Sequence, residues 1–491
     1  NLTSSTFAIF KRSMLNSHFM HIHFIAIGGS AMHNLAIALH KKGYEVTGSD
    51  DEIFEPSKSR LDQYGLLPAK NGWQPELITS ELDAVILGMH AHPDNPELQK
   101  AQELGLKIYS YPEYLYEQTK EKTRVVIGGS HGKTSITSMI MHVLKTNHID
   151  FDYMVGARLE GFETMVSLKE NTKIAVFEGD EYLSSPIDRR PKFHLYHPHI
   201  ALLSGIAWDH INVFPTFENY VEQFRIFAEK IEKNGSLIYF EGDEILKQIA
   251  EESRADIQKQ AYQAHQSTVD NGVSYLNHGQ RKTRLQVFGD HNLQNIAGAK
   301  SVCEKLGISD EQFYRAMSSF KGADRRLEVL SENESCTVFF DFAHSPSKLK
   351  ATTTAVKKQF GNRQLVAVME LHTYSSLKKD FLPQYKNCMD EADEAFVFFD
   401  PKTIEHKRLS PISKAEVATA FASKGLQVFT EPEELFVQLR AKNWSDKNLL
   451  IMTSGNFSGQ DLKAFAKEIT GDPVWVQQKN KWLQHPDEMM S

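Results

Sequence analysis

The sequence predicts an α/β protein of three domains, and three observations support this fold class. The length of 491 residues corresponds to about three domains of ordinary size. Short apolar runs typical of buried strands alternate with segments of helical periodicity, which indicates mainly parallel sheets covered by helices. Polar or small residues directly follow many of these runs, as expected at the carboxyl ends of parallel strands, where α/β domains bind their ligands.

The composition is that of a soluble globular protein, with 41% hydrophobic and 24% charged residues. The net charge is −8, from 55 basic and 63 acidic residues, and no Lys/Arg block stands out, so we expect no nucleic-acid partner. No apolar run approaches the ~20 residues of a membrane helix, so no membrane insertion is expected. The 3 cysteines are far apart, form no metal-type spacing and predict a reducing, cytoplasmic location.

Residues 1–19 are expected to be a disordered extension. Lys11 and Arg12 precede no long apolar run, which argues against a signal peptide. The first predicted strand begins directly after Met20, so Met14 or Met20 is a plausible translation start.

Residues 20–121 are predicted to form a Rossmann-like domain. The predicted elements are a strand over 21–27, a helix over 31–42, and strands over 45–48, 84–88 and 107–109. The first three form a βαβ unit with a tight turn at Gly28-Gly29-Ser30 and with Asp50 about 20 residues beyond it. Ser30 and His33 replace the second and third glycines of the dinucleotide fingerprint, which argues against a nicotinamide cofactor.

Residues 122–326 are predicted to form a central P-loop ATPase-like domain with a mainly parallel sheet. The apolar run at 125–127 leads into Gly128-Gly129-Ser130-His131-Gly132-Lys133-Thr134, and a helical pattern follows. Glycines let backbone N–H groups face phosphate oxygens, while the lysine reaches the terminal phosphates and the threonine hydroxyl reaches Mg²⁺. Ile127 stands where the general pattern has its first glycine, so Gly128 and Gly129 are expected to supply the turn. The alternative is an ordinary glycine-rich turn with a surface lysine, but the strand before and the helix after it favour a nucleotide site.

Two further strands of this domain, over 174–178 and 200–204, end near residues suited to metal or phosphate chemistry. Glu178-Gly179-Asp180-Glu181 would place an acid near Mg²⁺, or is a solvated acidic turn. Asp209-His210 follows the second strand and would lie on the same rim, although such a pair is often structural. Hairpins are predicted within 251–286.

A helix is predicted over 297–306, preceded by a segment with Asn292 and Asn295. Asparagine side chains offer donor and acceptor groups suited to adenine, or they cap a helix. Arg325 and Arg326 stand at the next linker and would clamp a triphosphate, or form a solvated hinge.

Residues 327–491 are predicted to form a C-terminal Rossmann-like domain with a doubly wound sheet. Its predicted strands cover 338–340, 365–369, 395–399, 426–429 and 449–452. The first is followed by Asp341-Phe342-Ala343-His344-Ser345-Pro346, where Asp341 would bind a ribose hydroxyl and His344 would face phosphate. No internal repeat, coiled coil or low-complexity tract is present.

Taken in order, these motifs resemble those of the Mur ligase family, the ATP-dependent amide-forming enzymes of peptidoglycan synthesis. The resemblance extends from Met20 to nearly the C-terminus. It is carried by residues 129–134, 178–182, 209–210, 291–295, 325–326 and 341–346. It implies that ATP activates a carboxylate as an acyl phosphate, which an amine then attacks, with Mg²⁺ as the metal.

Two members of this family use UDP-N-acetylmuramic acid directly as acceptor, one adding L-alanine and the other the tripeptide L-alanyl-γ-D-glutamyl-meso-diaminopimelate. The segment 26–32 resembles their shared UDP-sugar turn. The segments 188–193 and 90–97 resemble the tripeptide-adding enzyme, which makes the tripeptide the expected amine and L-alanine the alternative. The segment 369–376 departs from that enzyme's pattern, and Ser345 stands where a second histidine is common.

The resemblance implies specific roles. Lys133, Glu178, His210 and Arg326 are the expected catalytic residues, and Thr134, Glu178 and His210 the expected metal ligands. The expected nucleotide site comprises Ser130, His131, Gly132, Lys133, Thr134, Asn292, Asn295, Arg326, Asp341 and His344. The expected UDP-sugar site comprises Gly28, Gly29, Ser30, Ala31, Met32, Asp50, His90 and His92.

Alternatives from other classes are a nucleotide-dependent binding protein without ligase activity and a nicotinamide-dependent dehydrogenase. Folate-type amide ligases share the central and C-terminal plan but should lack the N-terminal UDP-sugar domain. A monomer or weak homodimer is expected.

Overall fold

The structure, a computed structural model, describes residues 20–209, 211, 213–270 and 273–471. The predicted extension over 1–19 lies outside the described residues, as does His210. Three α/β sheets follow one another along the chain and confirm the predicted fold class. Within the described part, no helix is both long and apolar enough to cross a bilayer.

The first sheet has four parallel strands in the order β2-β1-β3-β4. Its strands are β1 (His21–Ile25), β2 (Glu45–Ser49), β3 (Ala84–Leu87) and β4 (Ile108–Ser110). Its helices are α1 (Ser30–Lys41), α2 (Ser57–Gln63), α3 (Pro96–Glu103) and α4 (Tyr111–Thr119). Because β1 ends two residues before the predicted boundary, residues 26–29 form the whole connection to α1.

The second sheet has seven strands in the order β11-β10-β9-β5-β8-β6-β7, and all its pairs are parallel except β6 with β7. Its strands are β5 (Thr123–Gly128), β6 (Asp152–Met154), β7 (Val166–Ser167), β8 (Ile174–Glu178), β9 (Ile200–Leu203), β10 (Ser236–Phe240) and β11 (Gln258–Tyr262). Its helices are α5 (Lys133–Thr146), α6 (Phe217–Glu229), α7 (Glu244–Glu252), α8 (Asp290–Lys305) and α9 (Asp310–Met317). Since Ile127 pairs with Glu178, and Gly128 with Leu203, the ends of β5, β8 and β9 lie side by side.

A small antiparallel sheet is inserted between β11 and α8. It consists of β12 (Ser267–Asp270), β13 (Val273–His278) and β14 (Arg281–Arg284). The hairpins expected within 251–286 are therefore present, but the same stretch also contains β11, which pairs in parallel with β10.

The third sheet has six strands in the order β15-β16-β20-β17-β18-β19. Its strands are β15 (Glu328–Glu332), β16 (Cys336–Asp341), β17 (Gln364–Glu370), β18 (Glu394–Phe398), β19 (Gln427–Phe429) and β20 (Lys447–Met452). Its helices are α10 (Pro346–Gln359), α11 (Pro401–His406), α12 (Lys414–Phe421), α13 (Pro432–Arg440) and α14 (Leu462–Thr470). The edge strand β15 is antiparallel to β16 and was not predicted from the sequence.

Specific contacts join consecutive domains. The buried Asn34 of α1 accepts a hydrogen bond from the Met165 backbone N–H (3.0 Å), and Arg60 donates to the Glu163 carbonyl (3.2 Å). At the second junction, the backbone N–H of Phe342 donates to the Arg325 carbonyl (2.8 Å), and Lys358 of α10 pairs with Asp290 of α8 (2.9 Å). A cavity lies between the ends of β5 and β8 and the start of α10.

Candidate functional site

One cavity of about 340 Å³ lies between the central and third domains. The predicted nucleotide residues line it: Ser130, His131, Gly132, Lys133, Thr134, Asn292, Asn295, Arg326, Asp341 and His344, and the predicted metal ligand Glu178 lines it as well. All the predicted nucleotide residues therefore face one space, although they come from four separate stretches of the sequence. The remaining predicted catalytic residue and metal ligand, His210, lies outside the described residues.

Two glycines shape the loop between β5 and α5. Gly129 has φ 130° and Gly132 has φ 80°, a region that side-chain-bearing residues rarely adopt. A Cβ on Gly129 would lie 2.2 Å from Ser204 Oγ, and one on Gly132 would lie 2.4 Å from Asn295 Oδ1. Gly128 is still part of β5, so Gly129 and Gly132, and not the predicted pair Gly128 and Gly129, make the turn.

Lys133 begins helix α5 and is held by acceptors on both sides. Its ammonium donates to the Gly129 carbonyl (2.6 Å) and to Glu181 Oε2 (2.7 Å). Glu181 is buried and accepts a further hydrogen bond from the Tyr220 hydroxyl (3.0 Å), which also contacts Ser130 Oγ (2.8 Å). Burial lowers the pKa of Lys133, but the charges of Glu181 and neighbouring acids outweigh it, so the pKa is raised and the cation persists.

Thr134 and Glu178 form an oxygen pair at the base of the loop. The Thr134 hydroxyl donates to Glu178 Oε1 (2.8 Å), while Glu178 Oε2 accepts from the Gly156 backbone N–H (2.7 Å). Hydroxyl and carboxylate oxygens are the donors that Mg²⁺ prefers, so this pair fits the predicted ion. Across 20–209, 211, 213–270 and 273–471, no group of three or more His, Cys, Asp or Glu side chains could hold a metal ion.

The two asparagines lie inside helix α8, not before a helix as predicted. Gly289, with φ 94°, occupies the N-cap, and the helix begins at Asp290, seven residues before the predicted start. The Asn292 amide donates to the Phe288 carbonyl (2.8 Å), and the Asn295 amide oxygen approaches Gly132. Helical spacing places residues 292 and 295 on neighbouring positions of one face, which is how both reach the cavity.

Arg326, at the linker, and the segment after β16, in the third domain, close the cavity opposite the phosphate loop. The Arg326 guanidinium lies 3.3 Å from Thr134 Oγ1, across the junction between the two domains. Burial raises the pKa of Asp341 to about 6, although Arg326 opposes this shift. Burial and the charge of Lys348 hold the pKa of His344 well below its ordinary value, so this imidazole is neutral at pH 7.

The same electrostatic environment acts on His131, in the phosphate loop. Burial, followed by the charges of Lys348 and Lys133, lowers the pKa of His131 to about 4. A neutral imidazole therefore sits beside three cations, Lys133, Arg326 and Lys348, which all line the cavity. A cavity with this charge distribution is suited to a polyanion.

The predicted UDP-sugar residues lie on the first domain, outside this cavity. Gly28 donates its backbone N–H to Asp50 Oδ2 (2.7 Å), so Asp50 supports the turn before α1. Burial, followed by Asp51, raises the pKa of Asp50 to about 7. Around the turn, Gly29 is half-buried, Ser30 and Ala31 are exposed, and Met32 is buried. His90 and His92 are both exposed on the loop after β3.

Several residues in or next to the cavity were not predicted as site residues. Glu181 and Asp209 belong to motifs noted in the sequence, and their position at strand ends was the available indication. Lys348 lies in the first turn of α10, two residues beyond the point where the motif 341–346 ends. Tyr220 lies in an amphipathic helix whose apolar positions indicate only a buried face, so the sequence offered no sign of its contact with Glu181.

Family comparisons cover most of the chain. Three Mur ligase family models match: the family's catalytic domain over 21–123, the middle domain over 127–303 and the glutamate ligase domain over 325–457.

Two relatives illustrate the similarity. A UDP-N-acetylmuramate–L-alanine ligase of Desulforamulus reducens is 30% identical over 73% of this chain and 78% of that protein. A UDP-N-acetylmuramate–L-alanyl-γ-D-glutamyl-meso-2,6-diaminoheptandioate ligase of Haemophilus influenzae is 26% identical over 91% of this chain and 99% of that protein.

Solved structures share the fold. A murein peptide ligase from Psychrobacter arcticus aligns with a TM-score of 0.63 at 22% identity, covering 92% of this chain and 98% of that one. A UDP-N-acetylmuramate-alanine ligase from Thermotoga maritima aligns with a TM-score of 0.67 at 19% identity, covering 94% and 99%. The family matches and the geometry of the cavity together show that the chain belongs to the Mur ligase family. Members of this family are ATP-dependent, ADP-forming ligases that make C–N bonds.

Proposed function

We propose that this protein joins UDP-N-acetylmuramic acid to the tripeptide L-alanyl-γ-D-glutamyl-meso-diaminopimelate, with ATP converted to ADP and phosphate. The observation that carries this proposal is the cavity between the phosphate loop and α10, because it surrounds a place for a triphosphate with three cations. The relative from Haemophilus influenzae, which matches 91% of this chain, is named for this reaction.

The acceptor is proposed to bind at the first domain, over the turn at Gly28, Gly29, Ser30, Ala31 and Met32. Asp50 would hold the turn through the Gly28 N–H, which leaves the exposed N-terminal end of α1 available to the diphosphate. His90 and His92, exposed on the neighbouring loop, are proposed to contact the same ligand. The predicted boundaries, 20–121, 122–326 and 327–491, would then separate the acceptor, nucleotide and amine sites.

The nucleotide is proposed to bind with its phosphates on the loop 130–134 and with adenine near Asn292 and Asn295. Lys133 and Arg326 would hold the terminal phosphate, while Asp341 and His344 would complete the site from the third domain. Thr134 and Glu178 would hold Mg²⁺, and His210 is proposed to contribute to a second ion. Bound Mg²⁺ would neutralise charge on the phosphate oxygens.

The chain's own residues would then guide the transfer to the muramoyl carboxylate. Lys133 would leave Glu181 for the phosphate, and closure over α10 would exclude water, which otherwise hydrolyses an acyl phosphate. The incoming amine is proposed to approach from the carboxyl end of β17, where Glu370 and the segment 370–376 lie.

The segment 180–193 supports the tripeptide. It forms a folded loop after β8: Leu183 and Pro191 form a β-bridge, and Lys192 Nζ lies 2.5 Å from Asp180 Oδ2. Arg190 extends from it to Glu113 of the first domain (3.1 Å). The loop therefore lies at the junction of the first and central domains, and its resemblance to the tripeptide-adding enzyme over 188–193 favours the tripeptide.

The deciding experiment supplies ATP, Mg²⁺ and UDP-N-acetylmuramic acid with either the tripeptide or L-alanine, and measures phosphate release and product mass. We expect turnover with the tripeptide and little with L-alanine. Turnover with L-alanine but not with the tripeptide would show that L-alanine is the amine substrate. ATP binding without phosphate release in either mixture would favour a nucleotide-dependent binding protein.

The L-alanine ligase is the second candidate because of two observations. Relatives with that name are 30% identical to this chain. The segment 369–376 near the proposed amine site also departs from the pattern of the tripeptide-adding enzyme.

A further inference from the structure

Lys348 is the one cation in this cavity that the motif-based prediction of the site does not contain. It lies in the first turn of α10, directly after Pro346 and Ser347, and it lines the cavity together with Lys133 and Arg326. The chain therefore brings a basic side chain from the third domain to the phosphate loop of the central domain.

The three cations differ in their hydrogen-bond and ion-pair partners. Lys133 is held by Gly129 and Glu181, and Arg326 donates to Thr134. The Lys348 ammonium makes no hydrogen bond or ion pair with any residue that the structure describes. A half-buried ammonium without a partner is unfavourable unless a ligand supplies the missing acceptors.

The electrostatic influence of Lys348 extends to both sides of the cavity. Its charge lowers the pKa values of His131 on the phosphate loop and His344 on the third domain. Burial lowers the pKa of Lys348 itself, and the charge of Asp209 opposes this. The N-cap Ser345 makes no side-chain hydrogen bond to the start of α10, so the positive end of this 14-residue helix adds to the same field.

We propose that Lys348 binds the terminal phosphate of the nucleotide and so makes phosphate binding depend on the third domain packing against the central one. The proposal rests on the nucleotide-binding part of the proposed function. It assigns to Lys348 the γ-phosphate oxygens rather than adenine or ribose, because Lys348 lines the same cavity as Lys133 and Thr134 of the phosphate loop.

The test compares the affinities for ADP and for the non-hydrolysable β,γ-imido analogue of ATP, each with Mg²⁺, by titration calorimetry. The variants are Lys348→Met, which removes the charge, and Lys348→Arg, which keeps it. Lys350→Met is the matched control, because Lys350 is exposed on the same helix and does not line the cavity.

We expect Lys348→Met to weaken the affinity for the ATP analogue about 10- to 100-fold, which is the usual effect of losing one charged hydrogen bond. The affinity for ADP should fall by less than about threefold. Lys348→Arg should retain most of the affinity for the analogue, and Lys350→Met should leave both nucleotides unchanged. If Lys348→Met does not fold, Lys348→Gln gives the same comparison.

Equal weakening of ADP and the analogue, or no weakening of either, would overturn the proposal. The measurement needs neither acceptor nor amine, so its failure is distinguishable from failure of the proposed reaction. A protein that shows the expected loss but no ligation with any amine would keep the role of Lys348 and lose the proposed function.

Discussion

At the scale of single residues, the phosphate loop depends on the close approach of Gly132 to Asn295, two residues that are far apart in sequence. Gly132 adopts φ 80° and approaches the amide oxygen of Asn295 so closely that a Cβ would lie 2.4 Å from it. The loop therefore requires glycine both for its backbone conformation and for its contact with helix α8.

We predict that Gly132→Ala lowers nucleotide affinity by more than about tenfold, because the added methyl group must displace Asn295 in addition to the usual strain of about 1–2 kcal/mol. Gly105→Ala is the matched control: Gly105 has φ 65° but nothing within 4 Å of an added Cβ. Titration with ADP and thermal unfolding measure both effects. Wild-type affinity in the Gly132 variant would show that the loop accommodates a side chain.

At the scale of elements, strand β5 is held at both ends: the phosphate loop follows its carboxyl end, and Arg124 anchors its start. Arg124, in β5, is only 1% exposed. Its guanidinium donates to the carbonyls of Tyr196 (2.8 Å) and Lys120 (2.7 Å) and pairs with Glu232 (3.0 Å). One side chain thus connects the end of α4, the start of β5 and the segment before β9.

We predict that Arg124→Met lowers the free energy of unfolding by about 3–5 kcal/mol, because buried carbonyls and a carboxylate lose their donor. Arg281→Met, at an exposed position in β14, should change it by less than about 0.5 kcal/mol. Denaturant unfolding followed by circular dichroism provides the comparison. A loss below about 1 kcal/mol would mean that water replaces the guanidinium.

Most of the strands that the sequence predicted contain continuous apolar runs. The strands β5, β8, β16, β17 and β20 are buried along most of their length, which gives the clearest sequence pattern. Strand β15 was missed because it lies at a sheet edge, where all its residues are partly or fully exposed and form no continuous apolar run. The start of α8 was missed because Gly289 and two asparagines resemble a loop in sequence, whereas the packing of this helix against α5 determines its length.

Much of the candidate site was predictable because its residues follow strands. Lys133, Glu178, Asp341 and His344 all lie at strand ends or in the turns that follow. Lys348 and Tyr220 lie within helices, where one polar side chain has no local pattern to distinguish it from a solvated residue. Their contacts arise from the packing of one domain against another, or of α6 against the central sheet.

At the scale of the whole molecule, the first domain is attached to the second by a polar seam beside the UDP-sugar turn. Asn34 is fully buried and accepts hydrogen bonds from the Met165 N–H and from Arg60 (2.9 Å). It also donates to the Ser30 carbonyl at the start of α1 (2.8 Å). The same side chain therefore contacts the domain seam and the proposed acceptor site.

We predict that Asn34→Ala raises KM for UDP-N-acetylmuramic acid severalfold and leaves ADP affinity unchanged, because it loosens the first domain without reaching the nucleotide cavity. Calorimetric unfolding should show the first domain melting separately. Asn219→Ala is the control, since Asn219 is exposed at the start of α6. An equal loss of acceptor and nucleotide binding would mean that the seam supports the entire molecule.

The pair between Lys133 and Glu181 also has a consequence for selectivity in a crowded solution. A phosphate loop with an unsatisfied lysine would attract inorganic phosphate and other small anions, whereas here a carboxylate at 2.7 Å already neutralises that cation. A competitor must bring enough charge to displace Glu181 from a position that the Tyr220 hydroxyl also stabilises. Glu181 thereby competes with simple anions for Lys133, and a ligand that engages several cations at once is expected to open the pair.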